Sequence, residues 1–250
     1  MLKKGVVLSW MLVFLTAGIA SAYRPLATED AGVAGKGIAQ AEVSWDNITW
    51  KNSDKEDIYL LVPIYGLTEN LELSVEIPYH YHKPSSGPSE EGTGDMNIVD
   101  KYLLIPGGTE GLAFAVKGVV KMDNGDYDKR LGSGDKDYSI VAALSETIGQ
   151  LTGHAHIGYT WTGDKKDERL DVTLYGAALD YALTESLHIL AEVTAERHPD
   201  RLENDNPLIA LTGITFKVSD NLTLDAAYRW GLNDSVTYTS TTVGASITFR

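Results

Sequence analysis

Cysteine is absent from the 250-residue chain, and long apolar runs are confined to its first residues. The absence of cysteine excludes disulfide bonds and the lipid-modified N-terminal Cys of a bacterial lipoprotein. After Ala22 no apolar run approaches the roughly 18 residues that a transmembrane helix requires. Any attachment of the mature chain to a membrane must therefore come from a fold other than a spanning helix.

Residues 1–22 have the features of a secretory signal peptide. Lys3 and Lys4 form a basic start, an apolar run follows, and Ala20-Ser21-Ala22 is a small-residue cleavage site. We therefore expect an exported chain whose mature form begins at Tyr23. Removal of the two lysines changes the formal net charge from -14 to -16. Such an acidic protein repels phosphate, which argues against nucleic acid and anionic lipid surfaces as partners.

Residues 71–82, LELSVEIPYHYH, show a pattern that the mature chain repeats. Apolar residues take one parity from Leu71 to Tyr81 and mainly polar residues take the other, so an extended strand has one apolar and one polar face. The length is close to the roughly 9–11 residues with which a tilted strand crosses a bilayer. Further strands of this kind are predicted at residues 37–50, 57–65, 94–104, 111–122, 135–146, 152–162, 169–183, 187–197, 205–216, 222–230 and 237–249.

Two of these strands fit the alternation less well. Asp100 interrupts the apolar face of the strand at residues 94–104, and no feature of the sequence accounts for it. The parity of the strand at residues 169–183 changes near Gly176, where we expect a β-bulge.

Alternation alone does not distinguish a soluble β-sandwich or lipocalin-like fold from a membrane barrel, because the apolar face turns inward in the first and outward in the second. The connections alternate between polar loops and tight turns, as the extracellular loops and periplasmic turns of outer-membrane barrels do. Aromatic residues cluster near both ends of the apolar faces, as at membrane interfaces. We therefore predict an all-β fold, a transmembrane antiparallel up-and-down β-barrel of about 12 strands over residues 36–250.

Several segments resemble the bacterial outer-membrane proteins of the MetA-pathway of phenol degradation family. The opening carries the likeness most specifically, with Arg24-Pro-Leu, Thr28-Glu-Asp-Ala-Gly32 and Gly35-Lys-Gly37. Gly94-Asp95 with Lys101-Tyr102, and residues 111–126 and 221–231, resemble later strands of the family. The resemblance implies an outer-membrane transporter or channel, with a link to the uptake of aromatic compounds.

The polar faces of the strands line the lumen if the apolar faces contact lipid. We therefore predict lumen-lining residues of both charge signs, namely Glu42, Asp46, Glu72, Glu76, His80, Lys101, Lys117, Lys121, His188, Glu192, Glu196, Lys217, Asp225 and Arg229. Facing rows of acids and bases can form a wet, weakly selective pore, or can pair across a narrow interior and close it. The pattern is compatible with both.

Residues 23–35, YRPLATEDAGVAG, have no periodicity and contain Pro25 and Gly32, so we expect an irregular segment before the first strand. This segment can fold back as a lumen plug, because Glu29, Asp30 and the glycines suit a polar interior. A disordered periplasmic tail is the alternative, and the sequence alone favours it.

Two histidine pairs, His80/His82 and His154/His156, each place two imidazoles on one strand face, as a zinc site can. The topology puts the pairs at opposite ends of the barrel, so we interpret them as solvated rim residues and predict no metal site and no cofactor. Calcium binding is the alternative to a solvated loop where acidic residues crowd one extracellular connection, at Asp123, Asp126, Asp128, Asp135 and Asp137.

We predict an outer-membrane channel or transporter for small solutes, including aromatic or hydrophobic compounds. One alternative is a non-conducting structural or surface-interaction barrel. Another is a lipid-modifying enzyme, but no motif places a serine beside a histidine, so no enzyme is predicted. The expected location is the bacterial outer membrane, reached through the periplasm. The expected partners are outer-membrane lipids and the barrel assembly machinery, since Thr242 to Phe249 resembles the C-terminal signal which that machinery reads.

Overall fold

The computed structural model describes residues 24–107, 111–163, 170–198 and 205–249. The predicted signal peptide lies outside these residues. Within them the chain forms thirteen β-strands, which are β1 (Ala39–Trp50), β2 (Lys55–Gly66), β3 (Leu71–Lys83), β4 (Glu90–Thr93), β5 (Asn97–Pro106), β6 (Gly111–Lys121), β7 (Asp137–Ile148), β8 (Leu151–Trp161), β9 (Asp171–Ala182), β10 (Leu187–Glu196), β11 (Leu208–Ser219), β12 (Leu222–Gly231) and β13 (Tyr238–Phe249).

The strands close into an antiparallel barrel of twelve strands, with β4 as a short addition. Strand β1 pairs with β2, β2 with β3, β3 with β5, and each later strand with the next as far as β13. Strand β13 then pairs with β1 along the full length of both, from Ala39 opposite Phe249 to Trp50 opposite Tyr238. Closure leaves no unpaired strand edge inside a bilayer. The predicted fold class is therefore confirmed.

The outward face of the barrel is apolar. Large apolar side chains alternate along the strands with their outward side exposed, as at Val43, Leu61, Ile140 and Val193. Exposed aromatic residues occur near both ends of the strands, at Trp45, Tyr79, Tyr138, Trp161 and Tyr228 on one side and Tyr65, Tyr102, Tyr181, Phe216 and Phe249 on the other. This distribution matches a hydrocarbon band between two interfaces.

No helix among the described residues is long and apolar enough to cross a membrane.

Strand β4 lies in a segment that we predicted to be a polar loop. It pairs with the outer end of β3, from Tyr79 opposite Thr93 to His82 opposite Glu90. The Gly94 N–H then donates to the Pro78 oxygen at 2.9 Å, so that β4 and β5 follow β3 one after the other. The sequence gives no alternating pattern here because the pairing depends on backbone hydrogen bonds and buries little apolar surface.

The bulge predicted at Gly176 is wrong. Strand β9 keeps its register through Gly176 with both neighbours, opposite His156 on one side and Thr194 on the other. The apparent parity change arises because inward-facing Val172 and Leu174 are apolar. Register shifts occur instead between Leu103 and Ile105 in β5 and between Lys217 and Ser219 in β11.

The outer loop, residues 122–136, is folded onto the extracellular ends of β5 and β6. The Asp95 carboxylate accepts hydrogen bonds from the Ser133 N–H at 2.7 Å and the Gly125 N–H at 2.9 Å. Leu131 is buried against this corner. Burial raises the pKa of Asp95, but the N–H groups of Ser133 and Gly125 lower it, and the net pKa lies below the usual value. The ionised carboxylate therefore organises the loop.

Replacement of this carboxylate should loosen the outer loop. In Asp95→Asn the two N–H groups lose a charged acceptor, so trypsin should cut after the exposed Lys129 or Arg130 several-fold faster at neutral pH. Because the pKa of Asp95 is lower in the folded protein than in the unfolded chain, where it is about 3.9, the carboxylate stabilises the fold at any pH above that value. This contribution is lost only as the pH falls through the lower pKa of the folded state. Hydrogen-exchange protection of the loop should thus be the same at pH 7 and pH 5. Cleavage of the variant at the wild-type rate would contradict this account.

Asp100 lies on the outward face of β5, where the strand is otherwise apolar. It is exposed between Ile98 and Tyr102, and its carboxylate lies over Gly118 of β6, where a Cβ would be 2.6 Å from the Asp100 oxygen. An acidic group on a lipid-facing surface is unfavourable.

Removal of this charge should stabilise the barrel in lipid. Asp100→Asn should raise the free energy of unfolding by about 1 kcal/mol, because charges on the lipid face cost up to a few kcal/mol, and acids less than bases. Reversible urea unfolding in lipid vesicles measures the change. Asp100→Val should give at least the same gain. A loss of stability in both variants would show that the carboxylate makes a favourable contact in the membrane.

Candidate functional site: the barrel lumen

The inward faces of the strands carry charged groups that face one another across neighbouring strands. Lys101 of β5 is directly opposite Lys117 of β6, and Glu72 of β3 is opposite Lys101. Lys101 is 4% exposed. Two like charges opposite each other in adjacent strands repel, and a buried ammonium is unfavourable unless it is paired. The lysine pair therefore requires negative charge from another part of the chain.

The N-terminal segment, residues Arg24–Ala34, supplies that charge. The Glu29 carboxylate bridges the two ammonium groups, with one oxygen 2.8 Å from Lys101 Nζ and the other 2.7 Å from Lys117 Nζ. The Asp30 carboxylate lies 3.2 Å from Lys101 Nζ. Burial raises the pKa of Glu29, but the two lysines lower it by more, so it lies well below the usual value. Glu29 is therefore ionised, and its single negative charge, shared between the two ammonium groups, offsets part of their positive charge.

Two arginines hold the start of the segment. Arg24 lies 3.6 Å from the Asp225 carboxylate and donates to Thr242 Oγ1 at 3.1 Å. Arg229 donates to the Pro25 oxygen at 2.6 Å, and its other nitrogen lies 3.1 Å from Asp46. The segment is thus anchored to β12 and β13 as well as to β5 and β6.

Backbone N–H groups of the segment donate to inward side chains on further strands. Acceptors are Glu192 for the Thr28 N–H at 2.5 Å, His156 Nδ1 for Glu29 at 2.9 Å, Ser145 Oγ for Ala31 at 3.0 Å and Glu72 for Ala34 at 2.6 Å. Because the segment has no secondary structure of its own, these acceptors replace the hydrogen bonds that a strand would provide. The segment therefore crosses the lumen from β12 to β3.

A glycine contact fixes the point at which the segment enters the barrel. A Cβ on Gly66 would lie 1.7 Å from the Gly35 oxygen, so no other residue fits at Gly66 without displacement of the backbone. The Gly37 N–H donates to the Gly66 oxygen at 2.8 Å, and the Gly66 N–H donates to the Ile38 oxygen at 2.9 Å. Residues 24–34 therefore do not form the disordered periplasmic tail that the sequence alone favoured.

The other predicted lumen residues also lie on inward faces. Lys121 lies 2.8 Å from Asp137 and 3.5 Å from Asp95 under the outer loop. Glu76 contacts Asn97 at 2.6 Å and Lys117 at 3.8 Å. Two histidines contact acidic residues, His80 with Glu56 and His188 with Asp180, both at 2.7 Å. Lys217 lies 2.8 Å from Asp220 in a turn. Glu196 lies opposite Leu174 near the outer end of β10. Glu42 borders a cavity described below.

Sequence reasoning did not anticipate a serine and histidine in contact. Ser145 Oγ lies 2.8 Å from His154 Nδ1, because the two residues are opposite each other in β7 and β8. Both are on the inward face, and His154 is 3% exposed. A lipid ester in the bilayer therefore cannot reach this pair from outside the barrel. The cross-strand register that joins them is not readable from either strand alone.

The histidine pairs lie apart, as the topology predicted. His80 contacts Glu56 near the outer ends of β2 and β3, whereas His154 and His156 contact Ser145 and the N-terminal segment. The His154/His156 pair is not the solvated rim feature that we predicted, since His154 is buried. Among the described residues no group of three or more His, Asp or Glu side chains is arranged to hold a metal ion.

A cavity of about 290 Å³ remains between the N-terminal segment and strands β1, β2, β3, β5 and β6. Its wall on β2 is apolar and includes Leu60, Val62 and Ile64, while Glu42 of β1 borders the same space. Sequence reasoning did not identify this apolar wall, although β2 carries apolar residues on both parities, which is typical of a strand buried on both sides.

Loss of the Glu29 charge should release the N-terminal segment. The chain has no cysteine, so Ala31→Cys, at a position that is fully buried, gives a single thiol whose reaction with a soluble maleimide reports exposure. Adding Glu29→Gln should speed labelling at least about tenfold, because removing one partner of a buried ion pair typically costs about 3–5 kcal/mol. Glu185→Gln, in an exposed turn, is the matched control. Equal labelling rates would contradict the bridging role.

No curated protein matches the sequence. Among solved structures, the chain is similar to the COG4313 outer membrane channel from Pseudomonas putida F1, with a TM-score of 0.76, 11% identity, and coverage of 90% of this chain and 100% of that one. It is also similar to the KdgM porin (TM-score 0.58, 10% identity, 84% and 99% coverage) and the NanC porin (0.59, 10%, 83% and 98%).

These similarities show a shared fold, that of outer-membrane channels and porins. The family model described as "Putative MetA-pathway of phenol degradation" matches residues 22–249, which is almost the whole chain. The chain therefore belongs to this family, as the resemblance of its opening residues predicted.

Proposed function

We propose that the protein is a gated outer-membrane channel for small solutes, in which the N-terminal segment controls passage through the lumen. The observation that carries the proposal is the Glu29 bridge between Lys101 and Lys117, which holds a separate piece of chain across the interior. A barrel with only a structural role does not require a removable element inside it. A cavity of about 290 Å³ remains beside the segment, so the segment does not fill the interior completely.

The solute class follows from the lining and the family. The interior combines paired charges with the apolar wall on β2, so it suits small solutes that have an apolar part. The family description refers to phenol degradation, which agrees with aromatic or hydrophobic compounds as cargo. The bacterial outer membrane is the proposed location, reached by export through the periplasm. Outer-membrane lipids and the barrel assembly machinery, acting on β13, are the proposed partners.

Two other functions receive less support. A non-conducting barrel closed by charge pairs is the main alternative, since the ion pairs of the segment do fill much of the interior. An enzyme acting on lipid is disfavoured by the inward position of Ser145 and His154, because an ester-cleaving pair must reach its substrate. Conductance distinguishes the first alternative from the channel.

Removal of the N-terminal segment should open the channel. A variant lacking residues 23–34 keeps the Gly35–Gly66 contact and loses every ion pair of the segment. In planar bilayers the full-length protein should show small or infrequent currents, and the truncated protein should show steady currents with several-fold higher conductance. Glu29→Gln should raise the frequency of opening, whereas Glu185→Gln should not.

The folded state of each variant is checked by its heat-modifiable mobility on a gel. Equal conductance of the full-length and truncated proteins would contradict the gating role of the segment. If neither the full-length nor the truncated protein shows current although both barrels are folded, the channel is contradicted and the structural barrel is favoured.

A further inference from the structure

The inward face of β2 is apolar, whereas its neighbours β1 and β3 carry Glu42, Glu72 and Glu76 beside it. Ile58, Leu60, Val62 and Ile64 occupy the inward parity, and Val62 is 7% exposed. An apolar stripe in a polar lumen is unfavourable where water contacts it, so it is stabilised by another apolar surface. Leu26 and Val33 of the N-terminal segment and Val99 of β5 border the same cavity. Part of the stripe nevertheless still faces open space.

Carboxylates lie on both sides of this apolar stripe. Glu42 of β1 is directly opposite Val62 in the register of β1 and β2. Directly opposite residues of antiparallel strands have Cβ atoms about 4.5–5.5 Å apart, so the Glu42 carboxylate lies next to the apolar wall. On the other side, Glu72 and Glu76 of β3 border the cavity.

The carboxylates that border the cavity on β1 and β3 differ in whether they already have a hydrogen-bond or ion-pair partner. Glu72 accepts the Ala34 N–H at 2.6 Å, and Glu76 accepts the Asn97 amide at 2.6 Å. The basic groups that border the cavity are also engaged, since Arg24 lies near Asp225, and Lys101 and Lys117 are held by Glu29. Within the described ranges, Glu42 accepts no hydrogen bond and has no ion-pair partner within 4 Å.

The charge of the lining favours cations. Five carboxylates and three basic side chains border the cavity, so an ionised lining carries net negative charge. Low-dielectric walls strengthen this field inside a narrow space. An anionic solute would have to approach Glu42 and Glu76, and the basic groups beside the cavity already lie next to carboxylates of the chain. An ammonium group, in contrast, can bind the Glu42 carboxylate by a charge-assisted hydrogen bond.

The size of the cavity limits the rest of the ligand. At about 290 Å³ it lies at the lower end of the range for small-molecule sites, so it accommodates a compact body such as one aromatic ring or a short branched alkyl group. That body would cover the exposed part of the stripe at Leu60, Val62 and Ile64, while its cationic end contacts Glu42.

We propose that this cavity is a binding site for small organic cations that carry an ammonium group on a compact apolar body. The inference deepens the proposed function, because it names the class of solute that the passage beside the N-terminal segment selects. It is tested by equilibrium binding, which does not require the protein to conduct.

The test compares three ligands of nearly the same shape and different charge. Benzylammonium, benzyl alcohol and benzoate are titrated by calorimetry into the full-length protein in detergent at low salt. Benzylammonium should bind at least tenfold more tightly than benzyl alcohol, and benzoate should bind more weakly still. Ammonium chloride should bind much more weakly than benzylammonium, because it lacks the apolar body.

Variants locate the site. Glu42→Gln should lower the affinity for benzylammonium at least fivefold and leave that for benzyl alcohol unchanged, whereas Val62→Thr should weaken both ligands. Glu185→Gln, far from the cavity in an exposed turn, should change neither. Thermal melting of each variant shows that the barrel is intact.

Several results would overturn the proposal. These are equal affinity for benzylammonium and benzoate, no detectable benzylammonium binding, or an unchanged affinity in Glu42→Gln. The bilayer currents separate this inference from the proposed function. If benzylammonium binds but no form of the protein conducts, the cation site is supported and the channel is contradicted. If the protein conducts but benzylammonium does not bind, the channel is supported and the cation site is contradicted.

Discussion

Two lysines of adjacent strands, Lys101 and Lys117, face each other inside the barrel and cannot both stay charged there without a counter-charge. The strands next to them provide only part of it, through Glu72 and Glu76. The remainder comes from Glu29, which precedes the first strand in the sequence. The position of the N-terminal segment therefore depends on the electrostatics of the wall. The other contacts of the segment, from Arg24 to Ala34, extend this arrangement around the lumen.

The alternation of residues in the strands allowed most of the fold to be predicted. Each spanning strand places every second residue against lipid, so the apolar parity of β3 or β8 identifies both the strand and its outward face. The strand boundaries agree to within about three residues, because polar loops and tight turns end each pattern. Strand β4 was missed because backbone pairing above the membrane leaves no periodic signal. The register shift between Leu103 and Ile105 in β5 was also missed, since Leu103, Leu104 and Ile105 are all apolar and do not show which residue is extra.

The contacts of the site were less predictable than its location. The parity rule assigns Lys101 and Glu192 to the inward face, but it does not say which residues meet across the lumen. Those contacts depend on strand register and on the path of a segment that has no periodicity of its own. The apolar inward face of β2 was not predicted, because the parity rule assigns polar residues to the lumen and so does not distinguish the two faces of a strand with Leu60 and Val62 on one and Leu61 on the other. Apolar residues on both parities of one strand were the available signal.

The contact between Gly35 and Gly66 sets the geometry of any movement of the N-terminal segment. Since β1 continues from this point into the wall, the segment can pivot only about the turn between β2 and β3, at the periplasmic end of the barrel. Its eleven residues, Arg24 to Ala34, reach at most about 40 Å when fully extended. A released segment would therefore extend from the periplasmic end of the barrel and stay attached to it at Gly35. It would carry Glu29 and Asp30 into the periplasm, where the ionic strength of that compartment would screen the attraction that returns it to the lumen.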